Sequence, residues 1–409
     1  MSGDAARPAR PVLTVWLLGL LATFGPISLD LYLPALPSLA EDLGTDASSA
    51  QLTITSCLLG LALGQLLAGP LSDRLGRRVP LVTGLVVYLL ATLACALAPS
   101  IEVLVVLRLV QGLAGAAGLV ISRAVARDLY DGRALLVVFS RLTLVSGLAP
   151  VIAPVLGGQL ARVLPWRGLF VVLAGLGAVL LVAGLLLGES LPPERRTPGG
   201  LGATLAGYGA LLRDRAYVCV VATFALCAAS LFAYIAGATF VLQRVYGLSE
   251  VAFSVVFAVN SVGIVVLSQT AGALARRGRA PLATLSAGVV GNLVGAAALA
   301  LSVVAGLGLV PLLASLFVMI ASLGLVLPSA TALAMAGHPE RAGAASSLLG
   351  LGQFVLGGVV APLVGIAGER TAVPLGVVAV SCSAAGGLVL LLARRRVRLA
   401  VAGQAQGRS

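Results

Sequence analysis

The chain has 409 residues, of which 59% are hydrophobic and only 10% charged, and its mean hydropathy is +1.08. A soluble domain carries about 25% charged residues, so no soluble fold buries this much apolar surface and the chain reads as a polytopic membrane protein. All 27 basic residues are arginine, and the absence of lysine excludes a P-loop NTPase, a Schiff-base enzyme and a lysine-anchored cofactor.

A bilayer-crossing helix needs about 20 mostly apolar residues. Such runs are predicted at 12–38, 50–71, 79–98, 102–123, 136–160 and 166–188. After a break they resume at 216–240, 250–274, 281–304, 307–335, 343–366 and 371–393. The expected fold is therefore all-α and membrane-embedded, with twelve transmembrane helices in two pseudo-symmetric six-helix bundles, 1–188 and 216–393. The polar, proline-rich stretch GESLPPERRTPGG opens a cytoplasmic linker, 189–215, whose later part is predicted as a short surface helix. Residues 394–409 form a basic tail. The first 25 residues do not read as a cleaved signal peptide, because the apolar run is long and no A-x-A site follows it.

The net charge of +12 invites a nucleic-acid reading, but the arginines lie in short clusters between spans, as the positive-inside rule requires. With the N-terminus inside, the inner segments hold Arg7, Arg10, Arg74, Arg77, Arg78, Arg123, Arg127, Arg133, Arg141 and most of the second-half arginines. The outer loops hold only Arg162, Arg167, Arg244 and Arg370. Both termini are thus expected in the cytoplasm, with no nucleic-acid partner. The five cysteines all fall inside predicted spans, with neither disulfide nor metal spacing, and read as small packing residues.

Along the chain, SLDLYLPALP (28–37) places Asp30 in the first span beside Tyr32. The acid marks either a functional intramembrane group or a helix-end carboxylate facing outward, since Pro34 and Pro37 follow. GPLSDRLGRR (69–78) joins spans two and three. Gly69 and Gly76 allow close approach, while Asp73, Arg74, Arg77 and Arg78 can pair at neighbouring helix ends; the plainer alternative is a basic loop. GALARRGRAPL (272–282) stands at the equivalent place in the second half, a weak internal repeat of the kind that parallel six-helix transporters carry. LRLVQG (107–112) puts Arg108 and Gln111 on one helix face; Arg108 is either functional or an interfacial arginine snorkelling outward. In SGLAPVIAPVLGG (146–158), Pro150 and Pro154 interrupt the backbone ladder and Gly157 and Gly158 admit a neighbour. The second half offers polar residues but no charge within its spans. Tyr234, Asn260, Gln353 and Phe354 are candidates for a substrate cavity, whereas Gln269 and Asn292 read as helix–helix hydrogen bonds. His338 reads as a solvated loop residue. No catalytic constellation is present, so no enzyme is expected.

These motifs resemble the major facilitator superfamily. GPLSDRLGRR is similar to its loop between the second and third helices, which the resemblance makes a conformational latch: Gly69, Asp73, Arg74, Gly76, Arg77 and Arg78. Arg108, Gln111 and Gly112 match its fourth-helix R-x-x-Q-G motif, whose arginine is associated with proton coupling. The fifth span resembles the antiporter motif, with Ala149 and Ala153 in place of two glycines. GPISLDLYLPALP, QLTITSCLLGLALGQLLAGPLSDRLGRR and SRAVARDLY together resemble the Bcr/CflA group of drug exporters. That resemblance implies a proton-coupled antiporter exporting hydrophobic antibiotics, bicyclomycin- or chloramphenicol-like, with a small-metabolite carrier as the alternative. It implies Asp30 and Arg108 as the proton-coupling pair, influencing each other directly or through water, and Tyr32 and Gln111 as cavity residues beside Tyr234, Asn260, Gln353 and Phe354. It further implies a monomer in the bacterial inner membrane, driven by the proton gradient without cofactor or metal. Its partners are the bilayer, protons and a small drug-like substrate. An acid found two turns before Asp30 in some relatives is here Ala22, which points to a neutral or weakly charged substrate.

Overall fold

The computed structural model describes residues 11–130, 132–196, 201–337, 342–368 and 371–406, and within them the chain is helical, with no strand. His338, Arg341 and Arg370 lie outside the described residues. The first span is built in pieces: α1 (Pro11–Ala22), α2 (Phe24–Asp30), a 3-10 turn over Leu33–Ala35, and α3 (Leu36–Asp42). There follow α4 (Ala47–Leu75), α5 (Arg78–Ala96), α6 (Ile101–Leu129), α7 (Gly132–Ala161) and α8 (Trp166–Leu186). The linker carries α9 (Leu201–Arg213). Beyond it lie α10 (Arg215–Phe240), α11 (Glu250–Arg276), α12 (Pro281–Val304), α13 (Leu309–Ala336), α14 (Ala342–Val360) and α15 (Val373–Gln406).

Among the described residues, ten helices are long and apolar enough to cross a bilayer, and the bent first span makes an eleventh. The 30-residue α7 occupies the place of the fifth predicted span. Helix starts follow local chemistry. The Asp46 carboxylate accepts from Ser49 N at 2.7 Å at the head of α4. Asp214 accepts from Ala216 N at 2.8 Å at the head of α10, and Ser249 Oγ accepts from Ala252 N at 3.2 Å at the head of α11. Such caps satisfy amides that have no partner in the first turn. Proline stands at the first position of α12, where it has no hydrogen bond to lose.

The first span bends by 43° between Thr14–Ala22 and Ile27–Asp42. Pro26 supplies no amide hydrogen, and the backbone of the break is satisfied locally instead: Thr23 N reaches both Gly19 O and Leu20 O at 3.2 Å, and Thr23 Oγ1 donates to Leu20 O at 2.7 Å. Because α3 carries the span on to Asp42, Asp30 has another twelve residues of chain beyond it, about 18 Å of helical rise. It sits well inside the span and is 4% exposed, not a carboxylate displayed at an outer helix end. At the other terminus, α15 continues through the arginines of the expected tail to Gln406, because alanine, leucine and arginine are all good helix formers.

The chain divides into two compact units, Met1–Thr45 with Leu52–Leu201, and Asp46–Gln51 with Gly202–Ser409. In lipid, helices gain nothing from leaving water and associate through close packing of small residues. In the first unit, a Cβ added at Gly60, Gly64 or Gly112 would overlap the backbone of the facing helix, so α4 and α6 meet almost backbone to backbone.

Candidate functional site

Arg108 is the largest fully buried side chain in the described structure, and four helices of the first unit converge on it. Its Nη1 donates to Ser28 O at 3.1 Å on α2 and to Gln111 Oε1 at 2.5 Å on α6 itself. Its Nε reaches Thr53 O on α4 at 3.4 Å. The Gln111 amide passes the connection on, donating to Thr92 Oγ1 of α5 at 2.7 Å, and Thr92 Oγ1 donates to Tyr88 O at 2.7 Å. Tyr88 OH is hydrogen-bonded to Ser28 Oγ at 2.7 Å, which closes the circuit on the residue whose carbonyl holds the arginine.

The guanidinium also lies 4.5 Å over the centroid of the Tyr32 ring and 5.7 Å from that of Phe170, a cation–π arrangement worth about 2 kcal/mol when desolvated. Tyr32 OH is in turn hydrogen-bonded to Thr53 Oγ1 at 2.9 Å. Tyr32 and Gln111 are therefore fully buried with their polar ends engaged, framing the arginine with no free group for a ligand. One arginine nitrogen, Nη2, is buried without a partner. This is not a snorkelling arginine.

Asp30 lies two residues from Ser28 but on a different face, since successive helical residues rotate by about 100°. Its carboxylate makes no hydrogen bond or ion pair with any described residue, Arg108 included. The structure thus does not join the two charges directly; Arg108 holds the backbone of the segment that carries Asp30. The fifth-span motif meets the same segment, because a Cβ on Gly157 of α7 would overlap the carbonyl of Leu31. Pro150 and Pro154 lie within that helix, Pro154 and Gly158 both buried.

At the α4–α5 turn, Arg77 is buried and forked. It pairs with Asp73, donates through Nη1 to Ser72 Oγ at 2.8 Å, and reaches Asp128 Oδ2 through Nε at 2.8 Å. Ser190 Oγ bonds the same Asp128 oxygen at 3.0 Å. Glu189 caps α5: its Oε1 accepts from Arg77 N at 2.8 Å and Leu191 N at 2.9 Å, and its Oε2 from Arg78 N at 3.2 Å. Partial burial raises the Glu189 carboxyl, but those backbone donors and the Arg196 charge outweigh it and hold it below its usual range. Gly76 turns at φ +93°, a conformation that favours glycine, and an added Cβ would also push against the ends of the Glu189 and Arg196 side chains. Arg74 is exposed and takes no part, and Gly69 only approaches Val120. Sequence reasoning missed Asp128, Glu189, Ser190 and Arg196 here, and Ser28, Thr53, Tyr88 and Thr92 around Arg108.

In the second unit Asn260 Nδ2 donates to Tyr234 OH at 2.9 Å, and the Tyr234 ring stacks on Phe257 at 5.3 Å. Gln353 is half-buried with no hydrogen bond to a described residue, and Phe354 packs on Phe232 at 5.9 Å. Tyr234 and Asn260 are thus joined, while Gln353 and Phe354 are not joined to them by hydrogen bonds. Asn292 ties four helices: it donates to Ser230 Oγ at 3.1 Å and Met319 O at 3.0 Å, and accepts from Ser383 Oγ at 2.7 Å. Among the described residues no group of three or more His, Cys, Asp or Glu is placed to hold a metal.

Long apolar helices that carry buried polar clusters define a multi-pass membrane protein. The chain belongs to the Major Facilitator Superfamily, whose family model matches residues 17–362. It is 39% identical over 391 residues to the uncharacterized MFS-type transporter YdgK of Bacillus subtilis, covering 93% of this chain and 96% of that one. It is 30% identical over 361 residues to the bicyclomycin resistance protein homolog of Haemophilus influenzae, covering 88% and 90%. The crystal structure of the nucleoside transporter NupG shares the fold, with a TM-score of 0.74 at 16% identity over 93% of this chain and 98% of that one.

Proposed function

We propose that this transporter exports hydrophobic antibiotics in exchange for protons, and that Asp30 is the group that carries the proton. The observation that supports this most is a carboxylate 4% exposed in the middle of a span with no described partner. An ionised carboxylate in that position is costly, so its ionisation is coupled to whether water and substrate reach it. Arg108 acts as a fixed positive anchor for the Ser28 backbone, holding the Asp30 segment in place, and Tyr32 and Gln111 serve the arginine. Substrate contacts are assigned to Tyr234, Asn260, Gln353 and Phe354. The cluster of Asp73, Arg77, Asp128 and Glu189 acts as a latch that opens and reforms during alternating access. The arginine distribution supports the bacterial inner membrane with both termini in the cytoplasm.

One proton crossing 100 mV supplies about 2.3 kcal/mol, roughly a fifty-fold drug gradient. Asp30→Asn is expected to abolish uncoupler-sensitive resistance in an efflux-deficient host and drug-induced proton release in vesicles. Retention of both would refute the assignment. A metabolite carrier would instead show no resistance profile, with substrate uptake or efflux insensitive to antibiotics.

A further inference from the structure

The elbow of the first span encloses a cavity of about 60 Å³ against α5 and α8. Its walls are apolar, chiefly Phe24, Ile27, Leu173 and Leu180, with the Tyr88 ring packed against Gly177. The hydroxyls that reach it are already spent: Thr23 donates to Leu20 O, while Ser28 donates to Phe24 O and bonds Tyr88. Water needs two to four polar partners to stay in such a place, and a lining this apolar, whose hydroxyl protons are all donated elsewhere, offers it little.

Leu20, Leu176 and Val179, three of the lining residues, are 41%, 40% and 59% exposed and so form its rim, on helices long and apolar enough to cross a bilayer. Depth identifies what stands outside. Tyr88 is ten residues from Arg78 and eight from Ala96 at the two ends of α5, about 12–15 Å from each. Gly177 is similarly central in α8. In a hydrocarbon core about 30 Å thick, this is the level of chain ends, far from headgroups. A dry void of this kind forfeits dispersion contacts on one side, and hydrocarbon is the only medium at its mouth.

We propose that this elbow cavity binds the methyl end of a phospholipid acyl chain, which fills the bend of the span that carries Asp30. The site is distinct from the substrate contacts assigned above, so it stands or falls independently of them. Full-length protein in lipid nanodiscs is irradiated with phosphatidylcholine carrying a diazirine at the chain terminus or beside the ester, and labelled peptides are mapped by mass spectrometry.

The terminal probe should label residues 20–28 and 173–180 several-fold more than the ester-proximal probe does. Val179→Phe, which narrows the mouth from an exposed position, should reduce that labelling several-fold while leaving labelling at exposed Val290 of α12 unchanged; Leu176→Phe repeats the test if the first variant does not fold. Equal labelling by the two probes, or labelling unchanged by both variants, would overturn the proposal. So would protection of these peptides by a saturating antibiotic, because the cavity would then be a drug site.

Discussion

Gly112→Ala adds one methyl group at the place where α6 touches α4, and the structure gives its cost. The new Cβ would overlap the Cys57 carbonyl oxygen and lie 2.9 Å from its carbon, whereas ordinary contact begins at 3.4 Å. The atoms ahead of it are backbone, so no side chain can swing aside; α6 must retreat by about 1 Å, in interiors packed without slack. One turn earlier on α6, Arg108 Nε holds Thr53 O, one turn before Cys57, at 3.4 Å. That retreat carries the pair beyond hydrogen-bonding range. Overpacking costs about 1–3 kcal/mol, and losing a hydrogen bond of a buried charge adds about 1.5–3 kcal/mol. Thermal denaturation of the purified protein and resistance of an expressing host are the assays, with Gly175→Ala as control because an added Cβ there meets nothing within 4 Å. Gly112→Ala should melt several degrees lower and lose transport. Equal melting and equal resistance in the two variants would refute the claim that this glycine sets the arginine's position.

Further outcomes follow from the other clusters. Gly157→Val should force α7 away from the Leu31 carbonyl and abolish transport with the protein still inserted, as read by resistance beside membrane abundance. Asn292→Ala removes three interhelical hydrogen bonds at about 0.6 kcal/mol each in membranes; denaturation should show a loss near 2 kcal/mol, against none for the exposed Gln269→Ala. Glu189 has a depressed carboxyl, so its stabilising effect is complete above its unfolded value of 4.5 and disappears as pH falls through its lower folded value. Melting followed against pH should therefore fall in acid below 4.5. Glu189→Gln should melt lower at neutral pH, with that acid dependence reduced.

The spans were legible because run length is a direct reading of bilayer thickness. Within the site, spacing identified Arg108 and Gln111, since three residues on a helix share a face. The oxygens that hold the arginine were hidden: two of its three acceptors, Ser28 O and Thr53 O, are backbone carbonyls, which every residue carries and no sequence marks. What the sequence did carry was a residue-level clue left unread. Ser28, Thr53, Tyr88 and Thr92 are polar side chains inside apolar spans, where an unpaired group is expensive, and each of them proved to be part of the arginine's surroundings. Glu189 was obscured differently, because it lies in a polar segment after α8 yet acts at the start of α5, on Arg77 N, 112 residues away.

Asp30 and Arg108 were expected to influence each other directly or through water; no direct bond joins them among the described residues, and Arg108 instead holds the Ser28 carbonyl two residues away. That difference changes the chemistry. If Asp30 carries the proton as proposed, an ion pair would tie proton release to breaking a charge contact, whereas the carbonyl anchor to Ser28 does not involve the carboxylate. The three motifs that sequence presents separately then act on one object. Arg108 grips Ser28, Gly112 keeps α6 close enough to do so, and Gly157 lets α7 press on Leu31. Arg108 and Gly157 meet the backbone within two residues of Asp30, and Gly112 acts on it through the arginine, so on the proposed role of Asp30 a substitution at any of the three is expected to alter the aspartate's access to protons while leaving its side chain untouched.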